Sequence, residues 1–245
     1  MGFRLLLLPG MDGTGELFQA FAVAFPKTLD LVIVHYPTEE LRSYTELMKL
    51  LQEAAEDCEH LVVLAESFST PLAITYAAMR PAKLRGLVIC AGFASSPVLG
   101  WRRLVGILLA PVLFRLALPK FAVERFLVGS GATGSLIDSV RSAISSVRAS
   151  VLLGRLRDIF ACDVRTELGQ VEVPMLYVRA MQDRLIPVQC VEEILRIRPE
   201  TTVVEIAGPH LILQREPGSA AAIVAGFIAE IQVHWQRSLE SRHQS

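Results

Sequence analysis

The stretch LVVLAESFSTPLAITYAAM, residues 61–79, decides the architecture. An apolar run ends in a small-x-Ser-x-small break centred on Ser67, and a helical pattern opens near Thr70-Pro71. A run this short and uniformly apolar reads as a strand covered on both faces, so the stretch is a strand, a tight turn and a helix. By itself the pattern is common. Ser69 or Thr70 capping a helix beside an idle Ser67 accounts for it equally well.

Outward from that stretch the same rhythm repeats. Strands are expected at 3–8, 30–35, 60–65, 85–90, 173–178 and 202–206, and segments such as 42–57 and 187–197 are long enough for crossover helices. This alternation predicts an α/β fold, a doubly wound, mainly parallel six-stranded sheet, in one domain over 1–245. One connection breaks the rhythm, because about eighty residues separate the fourth strand from the fifth. Residues 97–168 are therefore read as an inserted helical cap, with SGATGS at 130–135 as its clearest joint. An alanine-rich helix from Pro217 to about Gln236 closes the chain.

The 245 residues are 52 % hydrophobic and 20 % charged, which excludes a solvated disordered chain. With 24 Lys plus Arg against 25 Asp plus Glu, the net charge of -1 offers no footprint for nucleic acid or an anionic membrane. Cys58, Cys90, Cys162 and Cys190 form no CxxC pair and no Cys/His cluster, so free thiols and no metal are expected. The run Phe3–Leu8 is too short for a signal core, and Leu104–Leu118, interrupted by Gly106, Pro111 and Arg115, is too short to span a bilayer. A cytoplasmic location is the expectation.

The turn Ala65-Glu66-Ser67-Phe68-Ser69 resembles the nucleophile elbow of the α/β-hydrolase family, usually written G-x-S-x-G, with small residues in place of both glycines. The family's chain order is Ser, Asp, His. Here Asp183 follows the strand at 173–178 within MQDRLIPV, and His210 follows the strand at 202–206 within GPHLILQREP. Both fall just past the carboxyl ends of strands. Asp158 and Asp163 lie in the insertion, Glu205 lies inside a strand, and His60 begins a strand at the edge opposite Ser67. His35 reads as a polar end to an apolar run, and His234 and His243 as solvated surface.

The glycine-rich loop Pro9–Gly15, PGMDGTG, has its glycines in reversed Rossmann order and is followed by no Gly-Lys-Ser/Thr, which argues against nucleotide binding. Together with ESFS it resembles a subgroup of small bacterial hydrolases related to the hydrolase-like domain of plant phytyl-ester and diacylglycerol acyltransferases. Where that subgroup tends to carry glycine after ESFS, this chain has Thr70. The resemblance implies that backbone N–H groups of Met11 and Phe68 form an oxyanion hole. In an open parallel sheet the loops after strands one and three flank the switch point, and those loops carry Met11 and Ser67.

These readings converge on a serine hydrolase of carboxylic esters, with Ser67 as nucleophile, His210 as base and Asp183 as its orienting acid, and without cofactor or metal. Segment 98–118, apolar on most helical positions, predicts an apolar acyl group in a small ester substrate, although packing against the sheet explains it equally well. An acyltransferase using the same triad, or a ligand-binding protein on the same fold, remains open, as does the oligomeric state.

Overall fold

The computed structural model describes residues 2–98 and 118–243. Six strands, β1 (Phe3–Leu8), β2 (Asp30–Ile33), β3 (His60–Glu66), β4 (Leu84–Cys90), β5 (Met175–Ala180) and β6 (Thr202–Ile206), form one all-parallel sheet in the order β2-β1-β3-β4-β5-β6. Alternation along the strands supplies two cores. Leu6, Leu8, Val63 and Ala65 pack with α2 (Tyr44–Ala54) and α3 (Thr70–Ala78), while Leu5, Leu7, Val62 and Leu64 face α1 (Gln19–Ala24) and the long closing helix. Burial on both faces is why β3 and β4 contain so few polar side chains.

The larger departures from the expected bounds fall in β2, β5 and the closing helix. β2 ends at Ile33 because Val34 N–H still reaches Leu7 O while Tyr36 N–H turns to Gly13 O in the loop after β1. β5 begins at Met175, since Pro174 has no N–H for the ladder, and runs on to Ala180. The closing helix continues through His243, past the expected Gln236.

Between β4 and β5 the described residues form helices α4 (Gly134–Ser145) and α5 (Ala149–Ala161), preceded by helical turns over Lys120–Val128. The joint at 130–135 ends with Thr133, whose hydroxyl caps α4 by accepting from Leu136 N–H at 3.3 Å. Most of the apolar segment 98–118 lies outside the described residues. Helix α6 (Val188–Ile197) links β5 to β6, and α7 (Pro217–His243) closes the chain. No described helix is long and apolar enough to cross a membrane.

Candidate active site

Ser67 stands at the end of β3 with φ +48°, in the left-handed region that a residue with a Cβ occupies at a cost of about 1–2 kcal/mol. The turn that imposes this is tied from three sides. Ser69 Oγ donates to Pro9 O in the loop after β1, Tyr36 OH donates to Ser69 Oγ at 2.7 Å, and Tyr44 OH donates to Phe68 O at 2.7 Å. Pro71 then sits in the first turn of α3, where its missing N–H removes no helical bond. Ser69 thus stands in the place of a family glycine not only as a small residue but as a structural donor.

The loops after β5 and β6 bring the other two residues to Ser67. His210 Nε2 lies 3.1 Å from Ser67 Oγ, and His210 Nδ1 lies 2.7 Å from Asp183 Oδ2. The second Asp183 oxygen accepts from the N–H groups of Leu185 at 2.8 Å and Ile186 at 2.9 Å. These bonds orient the carboxylate. Both side chains are nearly buried, 4 % exposed for His210 and 6 % for Asp183. An ionised carboxylate only accepts, so Nδ1 carries the proton and Nε2 presents its lone pair to the serine hydroxyl. Burial opposes a charge on His210, but the Asp183 carboxylate, its hydrogen bond and Glu66 outweigh that and raise the imidazole pKa.

Met11 follows β1, and Phe68 follows the serine. Neither N–H meets an acceptor among the described residues. The other histidines lie elsewhere. His35 Nδ1 is 2.5 Å from Thr14 O, and His60 lies tilted against Phe3 and edge-on to Trp235 at the opposite end of the sheet. Among the described residues no three His, Cys, Asp or Glu side chains are grouped to hold a metal ion.

Two further charged residues stand at the site, Glu66 and Arg155. Glu66, 2 % exposed, ends β3 and accepts from Gln214 Nε2 at 3.2 Å. Burial, aided by Asp12, pushes its pKa up to about 7 against the opposing pull of His210 and Gln214. Its signal in the sequence is a charge closing an otherwise apolar strand. Arg155 on α5 is fully buried behind the Pro9–Gly15 loop. It lies on the helix stripe of Leu152 and Ile159, where an arginine is out of pattern.

The segment between β4 and β5 also touches the histidine loop. Leu211 N–H donates to Leu127 O at 2.9 Å, and the Leu211 side chain packs with Val123, Val128, Ile137 and Val140.

No family model matches the chain, and no curated protein matches it in sequence. Solved structures do match in three dimensions. A hydrolase from Oleispira antarctica superposes with a TM-score of 0.81 at 13 % identity, over 94 % of this chain and 91 % of that one. The enol-lactonase from Burkholderia xenovorans gives 0.77 at 13 % identity over 94 % and 92 %. An α/β hydrolase from a Medee basin deep-sea metagenome library gives 0.75 at 17 % identity over 93 % and 90 %. With six parallel strands in this order and these likenesses along nearly its whole length, the chain has the α/β-hydrolase fold.

Proposed function

We propose that this chain is a serine hydrolase that cleaves carboxylic esters of apolar acyl groups through an acyl-enzyme on Ser67. The observation that carries the proposal is the hydrogen-bonded line from Ser67 Oγ to His210 Nε2, and from Nδ1 to Asp183, on a serine held at φ +48°. Ser67 Oγ attacks the acyl carbonyl as His210 Nε2 takes the hydroxyl proton, and Asp183 stabilises the imidazolium. The tetrahedral oxyanion is held by the N–H groups of Met11 and Phe68. His210 then returns the proton to the departing alcohol, and water, activated by the same imidazole, releases the acid. Hydrolase and lactonase activities among the structural neighbours support this reaction class. The apolar acyl preference rests on the composition of segment 98–118, and residues 97–168 are proposed to cap the carboxyl end of the sheet.

The test is labelling with a fluorophosphonate, with the adduct mapped to Ser67, followed by hydrolysis of p-nitrophenyl esters of graded length below their micelle-forming concentrations. Each CH₂ buried is worth up to about 0.8 kcal/mol, so kcat/KM climbs from acetate toward hexanoate. A folded protein that neither labels nor hydrolyses overturns the reading. Hydrolysis that does not rise with chain length removes the apolar preference alone. Acyl transfer to added alcohol in excess over hydrolysis assigns the transferase reaction instead.

A further inference from the structure

Arg155 reaches from α5 into the core of the site. Its residue is 0 % exposed, and burial lowers the guanidinium pKa against the opposing influence of Asp12, Tyr36 and Asp158. Its hydrogen bonds end on backbone carbonyls. Nη1 donates to Met11 O at 2.9 Å and to Asp12 O at 2.8 Å, and Nη2 donates to Pro37 O at 2.8 Å. An apolar side chain of similar volume would fill this place without the desolvation penalty, so packing alone gives no reason for the charge. The reason lies in what the donors hold.

Met11 lies between two peptide planes. In the first, Gly10 O accepts from Gly13 N–H at 3.1 Å, which draws that carbonyl into the turn. The peptide is trans, so its N–H, that of Met11, is aimed the opposite way. In the second plane, Met11 O is held by Arg155, and the same nitrogen holds the next carbonyl, Asp12 O. With both planes fixed, the backbone dihedrals on either side of the Met11 Cα are set, and with them the direction of its N–H. The Asp12 carboxylate turns the other way and accepts from Thr14 N–H at 2.9 Å and Thr14 Oγ1 at 2.5 Å.

Gly13 belongs to the same arrangement. A Cβ there would lie 2.5 Å from Arg155 Nη1 and 2.9 Å from Tyr36 Cβ, on a backbone with φ +71°. The loop glycine therefore leaves room for an arginine that joins the chain 142 positions later. The guanidinium also lies 5.8 Å from the ring centroid of Phe68, the residue bearing the other N–H that meets no acceptor among the described residues.

We propose that Arg155 is a positioning residue for oxyanion binding: by clamping Met11 O and Asp12 O it fixes the Met11 N–H toward the reacting carbonyl. The assignment rests on the serine-hydrolase reading of the site. It makes a helix inserted between β4 and β5 a partner in charge stabilisation through the loop after β1.

The experiment compares wild type, Arg155→Lys and Arg155→Met on a short p-nitrophenyl ester, reading kcat and KM separately. It also measures the affinity of a trifluoromethyl ketone, which adds to Ser67 as a tetrahedral oxyanion. Fold is followed by circular dichroism and thermal unfolding. Loss of one oxyanion donor lowers kcat by about 10²–10³-fold. Arg155→Met should approach the lower figure with KM within about threefold of wild type, and ketone affinity should fall in parallel with kcat/KM. Arg155→Lys keeps the charge, but its ammonium sits one bond nearer the main chain than Nη1 and lacks the planar fork that Pro37 O braces through Nη2, so it should hold the two loop carbonyls less well and lose about tenfold or more in kcat. It is also the arm that reads the proposal if Arg155→Met fails to fold. A purely structural role would lower the unfolding temperature and leave kcat and ketone affinity of the folded protein unchanged. That result in either folded variant, beside a wild type whose activity depends on Ser67, overturns the assignment alone. An inert wild type overturns the hydrolase reading and the assignment with it.

Discussion

Ser67, His210 and Asp183 are joined by single hydrogen bonds, and under the proposed mechanism removing any one should disable the rest. Ser67→Ala and His210→Ala are expected to lose on the order of 10⁴ or more in kcat with the fold retained by circular dichroism, and Asp183→Asn somewhat less. Retained ester hydrolysis in purified Ser67→Ala would remove the mechanism. Glu66 supplies a second prediction. Its folded pKa, about 7, lies above the ordinary value of 4.5, so its contribution to stability is complete below the unfolded pKa and is lost as pH rises through 7. Glu66→Gln copies the protonated form. Its stability should match wild type near pH 4.5 and exceed it at pH 9 by on the order of 3 kcal/mol, measured by denaturant unfolding at both pH values. Glu66 also helps raise the His210 pKa, so the acid limb of the activity profile, set by protonation of the base, should move to lower pH in the same variant.

At the scale of elements, the junction of β3 with α3 is closed by a pair that neither partner announces. A Cβ on Gly92, just past β4, would overlap Thr70 Oγ1 and meet Ile89 Cγ2 at 2.6 Å. Thr70 thus occupies the space that a side chain at position 92 would need. Gly92→Ala should cost about 1–3 kcal/mol, and the cost should shrink without vanishing in a Thr70→Ala background, as a double-mutant cycle on thermal unfolding would read. Equal costs in both backgrounds would show that the two positions do not share the space. The strands themselves were legible because burial on both faces leaves only apolar residues in β3 and β4, and the ends of β2 and β5 moved where a loop bond or a proline overrode the pattern. Likewise Asp183 and His210 could be found because parallel strands deliver their carboxyl ends to one edge. The bonds of Arg155 and the Ser69 hydroxyl could not, since their partners are backbone carbonyls at Met11 and Pro9 and a carbonyl leaves no mark on residue type; the sequence shows only an arginine out of place on an apolar stripe.

For the molecule as a whole, the thiols report on integrity. All four cysteines are free, and burial pushes Cys190 up to about 11, Cys162 up to about 12 and Cys90 well above its ordinary value. At pH 8 the native protein should react slowly with a disulfide reagent, Cys58 first despite its own raised pKa, and the full 4 thiols should appear only in denaturant. Rapid native reaction of all of them would mean that the core opens far more readily than its packing implies. The same whole-chain view explains why these residues span so much sequence: Met11 and Ser67 precede the long connection between β4 and β5, Arg155 lies within it, and Asp183 and His210 follow it.

The strand order has a consequence for how the protein is made. From β3 onward each strand joins the sheet beside the one before it, in the order β3, β4, β5, β6. A ribosome that has released β4 must therefore finish the long connection before β5 exists to cover it, a delay of about 4–17 s at the usual 5–20 residues per second. Throughout that interval the nascent chain carries Leu84–Cys90, an almost wholly apolar strand, as an open edge. Chains stalled after Ala161 should accordingly recruit holdase chaperones more strongly than chains stalled after Arg215, and equal recruitment would show that the growing insertion shields β4 by itself.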